Sequence, residues 1–308
     1  MSNLRTGTRT GTRSGTLRVP GATLYYEVRG TGPLLLVIPG GGGDATILGG
    51  LADGLAARYT VVTFDARGYS RSLLDGPPVD QRVDVQSDDA HRLIELLAPA
   101  GEPVYVFGIS SGAIVGLDLL VRHPERVRLL IAHEPPAVEV LPDAAEQRAF
   151  FASVHATFRR QGTAAATAEF ARGIGFSVPE EPEEPKETEV TGESAGPAAE
   201  DPETAAMMAR LTVNLPLFLE HEVRQFTSHP LDVPAIKARR AQLVLAAGRE
   251  SRGHLPYRPA ELLAERLGQP LLECPGGHTG AVEYAAEFVE LLHRTFEAGA
   301  APGLSESR

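Results

Sequence analysis

The chain has 308 residues, 43% hydrophobic and 6% aromatic with no Trp, enough to bury a sizeable core as one large domain or as a core with an insertion. Its formal charge of -11 is concentrated in one place: Ser177 to Thr204 holds ten acidic residues and one Lys, a net of -9 that leaves -2 for the rest. With no basic stripe in that remainder, nucleic acid is excluded as a partner, and a single cysteine, Cys274, excludes an internal disulfide and a CxxC metal site.

Residues 1–15, rich in Arg, Thr and Gly, read as a disordered tail with no apolar run of the signal-peptide kind. No later stretch is apolar for long enough to span a bilayer, so a cytoplasmic chain with no membrane partner is expected. From Thr16 the segment LRVPGATLYYEVRGTG alternates as an antiparallel strand pair, with Pro20-Gly21 at its turn. The continuous apolar run in PLLLVIPGGGG suits a central parallel strand, buried on both faces. A helix over Ile47 to Arg58, a strand in YTVVTFD, an amphipathic helix over Val83 to Leu97 and a strand in PVYVFG follow. Next come a helix from Ser111 to His123 and the strand VRLLIAHE.

Between Pro135 and Pro234 the alternation stops. Helical patterns occupy Asp143 to Gln161, Thr163 to Gly175 and Glu203 to Thr227, with the acidic Pro/Glu-rich stretch 177–204 before the last. Then strand AQLVLAAG, helix Ala260 to Leu267, strand PLLECPG and a helix from Ala281 to Phe296 restore the rhythm. Alternating strands and helices predict an α/β fold with a doubly wound, mostly parallel sheet. The predicted core covers 16–135 and 235–298, a helical insertion covers 136–234, and 299–308 form a flexible tail.

Gly108-Ile109-Ser110-Ser111-Gly112 lies between a strand and a helix, the context in which GxSxG puts a serine on a sharp, strained turn. A serine hydroxyl is a poor nucleophile near neutral pH and needs a base. His278, in the loop CPGGHTG after the last strand, has the required position late in the chain. The carboxylate that should orient its ring is Glu250, following AQLVLAAG, with Glu134 in AHEPP as the alternative and Asp232 behind both. Charge developing on a substrate oxygen needs preorganised donors. The backbone N–H groups of Ser111 and of Gly41, in the glycine run, are the candidates.

Together VIPGGGG, FDARGYSRS, VFGISSG and CPGGHTG, in this order and spacing, resemble the α/β-hydrolase superfamily from Leu17 to about Ala298, the insertion apart. The resemblance implies an eight-stranded sheet with helices on both faces and a helical cap, here Pro136 to Pro234, between the sixth and seventh strands. Asp65, Arg67 and Gly68 match a structural turn of the family. Two features depart from its pattern: Pro39-Gly40 stands where many members have His-Gly, and the acid is Glu rather than Asp, often found one position later where Ser251 stands.

The expected activity is that of a serine hydrolase acting through an acyl-Ser110 intermediate, with no cofactor and no metal. Seven of the eleven Phe residues (150, 151, 158, 170, 176, 218 and 226) fall in the insertion, and no cluster of Arg or Lys adjoins the motifs. The expected small-molecule substrate is therefore an uncharged, largely apolar ester, lactone or thioester. The same three residues could instead serve perhydrolysis or carbon-carbon bond hydrolysis, or the cleft could bind without catalysing. No particular oligomeric state is indicated.

Overall fold

The computed structural model describes residues 5–6, 11–176 and 202–300. The first strands are Arg5–Thr6 (β1), Arg13–Val19 (β2) and Ala22–Arg29 (β3). β2 and β3 form the expected hairpin, with Val19 paired to Ala22 across Pro20-Gly21. Leu34–Ile38 (β4), helix Gly49–Leu55 (α1), Thr60–Phe64 (β5) and the two-residue Leu73–Leu74 (β6) lead to helix Val83–Leu97 (α2). Val104–Ile109 (β7), helix Ser111–Arg122 (α3) and Val127–His133 (β8) complete the first half.

The sheet order is β1-β2-β3-β5-β4-β7-β8-β9-β10, with β6 paired to β3; β9 is Leu243–Gly248 and β10 is Leu272–Cys274. Without the two-residue β1 and β6, the described sheet has the eight strands expected. From β5 to β10 every pairing is parallel, and the antiparallel pairs lie at the β2–β3 end. Both faces of the central strands are buried, as period-two alternation shows in β4. Leu34, Leu36 and Ile38 pack with α2 and α3, while Leu35 and Val37 pack with α1 and the C-terminal helix. After helix Tyr257–Leu267 (α9) and β10, short Gly280–Glu283 (α10) and Ala285–Ala300 (α11) close the chain; α11 buries Phe288, Leu292 and Phe296.

Between β8 and β9 the described residues are helical: Ala144–Gln161 (α4), Thr163–Gly173 (α5), Pro202–Leu217 (α6), Val223–Thr227 (α7) and Val233–Ala238 (α8). They enclose an apolar cluster of their own that includes Phe151, Val154, Ala166, Phe218, Leu219 and Val223. Polar contacts fasten this cap to the loop after β4. Arg210 Nε donates to Asp44 at 2.7 Å, and Asn214 Nδ2 donates to the Gly42 carbonyl at 2.9 Å.

Three expectations need correction. The span 1–15 is not all tail: Arg13, Ser14 and Gly15 pair with Val28, Glu27 and Tyr26, and Arg5–Thr6 pair with β2, because polar alternation is compatible with an edge strand. The helix expected over Glu203 to Thr227 is interrupted. Pro216 lacks the N–H that an α-helical ladder needs, and the chain widens into a π turn over Phe218–Glu222, with the Val223 N–H donating to the Phe218 carbonyl. The last helix runs to Ala300, into the span read as a tail. The acidic stretch falls largely outside the described residues. Among those described, no helix is long and apolar enough to cross a membrane.

Candidate active site

Ser110 occupies the one-residue turn between β7 and α3, with φ 53° and ψ -123°. Only three described non-glycine residues have positive φ, Ser110, Glu134 (47°) and Ser70 (47°), and two of them, Ser110 and Glu134, line the same recess. Two glycines make the turn possible. A Cβ on Gly112 would come within 2.3 Å of the Ile38 carbonyl oxygen, and one on Gly108 within 2.4 Å of the Gly112 oxygen. The Ser110 N–H donates to the His133 carbonyl at 2.9 Å, while its own carbonyl accepts from Ala113 and begins α3. The Ser111 N–H thus lies in the first turn of a helix, where backbone donors have no intrahelical partner.

His278, in the loop between β10 and α10, places Nδ1 2.6 Å from Glu134 Oε2. Glu134 follows β8 directly and is fully buried; its Oε1 accepts from the Gly248 N–H at 2.9 Å, across the end of β9. Burial pushes the Glu134 pKa up, but the hydrogen bond and charge of His278, then His133 and Gly248, outweigh it. The carboxyl is held below its ordinary range, so it is ionised at neutral pH. An ionised acceptor at Nδ1 requires that nitrogen to carry the proton, which leaves Nε2 free to accept one.

The glycine loop after β4 forms the opposite wall. Gly43 N–H donates to the Gly40 carbonyl, and Gly40 packs on Ser110, where its Cβ would meet the serine Cβ at 3.3 Å. At Gly41 a Cβ would lie 2.4 Å from Phe218 Cε2 and 2.6 Å from Glu222 Oε1, so the π turn of the cap takes up the space a side chain would need. Asp44 anchors the loop from below. Burial raises its pKa, but hydrogen bonds from Thr46 and Arg210 overcome this and keep it below the usual range.

Ser110 and His278 both line a cavity of about 480 Å³ with Gly40, Gly41, Ile47, Leu48, Phe170, Ile174, Leu215, Phe218 and Leu219. Both also line a smaller recess of about 40 Å³, walled by Glu134, Pro136, Val138, Phe151 and Leu255. No Lys or Arg is among the described residues lining either space. Among the described residues, no group of three or more His, Cys, Asp or Glu is arranged to hold a metal ion.

The sequence profile described as Alpha/beta hydrolase family matches residues 35–291. The chain belongs to the alpha/beta hydrolase family. This hydrolase is 38% identical to the uncharacterized hydrolase YraK of Bacillus subtilis (strain 168) over 286 residues, 92% of this chain and 95% of that one. It is 35% identical to the zearalenone hydrolase of Bionectria ochroleuca over 123 residues, 39% of this chain and 47% of the relative. Its fold is similar to a thermophilic esterase from Thermogutta terrifontis, at TM-score 0.67 and 18% identity, covering 92% of this chain and 97% of that one. The enol-lactonase from Burkholderia xenovorans LB400 is similar at TM-score 0.62 and 16% identity, over 92% and 99%.

Of the sequence-derived site residues, the hydrolase brings together Ser110, His278, Gly41, Ser111 and Glu134. It does not bring Glu250. That side chain is exposed, although its N–H donates to the Gly276 carbonyl, and buried Ser251 takes the inward position on the same short turn. The strained φ at Glu134 is what directs the other glutamate inward. Asp232 caps α8 by accepting from the Ala235 N–H at 2.9 Å. Asp65 holds the Ala45 N–H and the Arg71 guanidinium, and Arg67 pairs with Asp89, a structural use of that turn. Cys274 is fully buried at a strand end, and burial pushes its thiol up to about 12.

Four of the seven cap phenylalanines, Phe151, Phe170, Phe176 and Phe218, line one or both spaces. Sequence reasoning missed Tyr69, Glu222 and His133. Only His133 had a local signal, a titratable side chain inside the apolar run VRLLIAHE next to Glu134. Tyr69 and Glu222 meet across 153 positions, and nothing local announces that.

Proposed function

We propose that the protein is a serine hydrolase that cleaves an uncharged, largely apolar ester, lactone or thioester, with Ser110 as nucleophile, His278 as general base and Glu134 as its orienting carboxylate. The observation that carries this reading is the 2.6 Å contact of ionised Glu134 with His278 Nδ1, in a cavity shared with Ser110 on its strained turn. His278 Nε2 removes the Ser110 proton as Oγ attacks the carbonyl carbon, and Glu134 stabilises the imidazolium that forms. The carbonyl oxygen becomes an oxyanion that the N–H groups of Gly41 and Ser111 meet. The protonated imidazole then gives its proton to the leaving alcohol, enol or thiol. Water, activated by the same nitrogen, hydrolyses the acyl-serine and restores the site.

The substrate class follows from the walls. A cavity lined by Ile47, Leu48, Phe170, Leu215 and Phe218, with no cationic side chain lining it among the described residues, favours an apolar body and offers a carboxylate or phosphate nothing to pair with. The relatives named as an esterase, a lactonase and a zearalenone hydrolase are consistent with this class. The test is covalent labelling by a fluorophosphonate, with p-nitrophenyl esters of increasing chain length as substrates. Labelling at Ser110 and turnover, both abolished in Ser110→Ala, are expected. A Ser110→Ala variant that still hydrolyses these esters removes the serine from the mechanism.

A further inference from the structure

We propose that Glu222, on the π turn of the cap, is a positioning residue that couples the seating of the cap to the shape of the oxyanion pocket. This rests on the assignment of Gly41 and Ser111 as oxyanion donors. Glu222 is 1% exposed and lies where four elements converge. Its Oε2 accepts from the Tyr69 hydroxyl at 2.6 Å. That hydroxyl in turn faces the Gly42 N–H, so the bond reaches the glycine loop. Glu222 Oε1 stands 2.6 Å from the site of a Cβ on Gly41, while the Ser111 hydroxyl from α3 and the Gln86 amide from α2 face the same carboxyl. One side chain of the cap therefore touches both backbone segments that supply the two donors.

The carboxyl is enclosed without a counter-charge. No cation faces it among the described residues; Tyr69 is the only titratable neighbour, and Ser111 and Gln86 are neutral. Burial raises its pKa above the ordinary carboxylate value, and the Tyr69 and Ser111 hydroxyls and the Gln86 amide that face it offset this only in part. Tyr69 donates to Oε2, while Oε1 has no hydrogen bond to any described residue in good geometry. Glu222 does not line the cavity, so it acts on the reaction only through the donors it holds.

Glu222→Gln keeps an acceptor for Tyr69 and the size of the side chain, whereas Glu222→Ala removes both. Each is compared with the full-length protein by fluorophosphonate labelling of Ser110, by steady-state hydrolysis of p-nitrophenyl butyrate and by thermal unfolding. For Glu222→Ala we expect a folded protein whose labelling rate and kcat fall about tenfold or more with KM little changed, a fraction of what loss of a whole oxyanion donor does. Glu222→Gln should recover most of that loss. A folded Glu222→Ala with wild-type labelling and kcat overturns the proposal, as does a Glu222→Gln as impaired as the alanine variant. If Glu222→Ala does not fold, Tyr69→Phe decides, with lowered kcat expected and an unchanged kcat refuting. Activity surviving in Ser110→Ala sinks the serine mechanism itself. An inactive Ser110→Ala beside a fully active Glu222→Ala sinks only the role of Glu222.

Discussion

His133 ends β8 immediately before Glu134, is fully buried, and has no hydrogen-bond partner for either ring nitrogen among the described residues. Burial lowers its pKa from 6.5 to about 4; the Glu134 charge opposes this and the His278 charge adds to it. The folded state thus refuses a proton that the unfolded chain accepts below pH 6.5, and stability must fall as pH drops from there toward about 4. The full gap is worth about 3 kcal/mol, of which about 2.5 kcal/mol is lost by pH 4.5. In His133→Leu this loss disappears, because the leucine has no proton to bind and no unpartnered nitrogen to bury. Urea unfolding at pH 7.5 and pH 4.5, followed by far-UV circular dichroism, measures the difference. Glu134 is present in both proteins, and its depressed pKa preserves its contribution above the unfolded carboxylate range, so its part cancels in the comparison. Equal losses of stability in wild type and His133→Leu would refute a neutral, desolvated imidazole at this position.

Glu134→Gln should lower kcat by about a thousandfold or more, because the amide can favour the wrong imidazole tautomer, while Glu250→Gln should stay near wild type; ester hydrolysis compares them directly. Gly41→Ala forces a methyl group against Phe218 and Glu222, so it should slow fluorophosphonate labelling of Ser110 by about a hundredfold, as expected for a displaced oxyanion donor. Gly112→Ala meets backbone oxygens of Ile38 and Pro39 that cannot move aside, and should cost about 3 kcal/mol or more in urea unfolding. Cys274, buried with its thiol at about 12, should resist iodoacetamide at pH 8 in the folded protein and react on unfolding, as mass spectrometry would record.

How far the site could be read from the sequence depended on the range of the interaction involved. Ser110 was legible because the strain of its turn is local: glycines two residues either side, a strand before and a helix after are all adjacent in sequence. Val83–Leu97 was legible because its apolar periodicity records which face is buried. The break at Phe218–Glu222 was not, since Pro216 marks an interrupted ladder without saying whether the helix kinks, stops or widens.

The choice between two glutamates shows the limit most clearly. Glu134 and Glu250 follow neighbouring parallel strands, β8 and β9, whose carboxyl ends lie side by side with His133 paired to Ala246. Composition and order alone determined the fold class, the strained serine, the late histidine and the need for an acid at one of those ends, because each follows from backbone sterics or from chemistry that one residue type can perform. Only the tertiary structure decided which carboxylate turns inward and that Glu222 comes to rest on Gly41. Those outcomes depend on the register between strands and on how a helical cap seats over a loop, and both are set by packing among residues far apart in the chain.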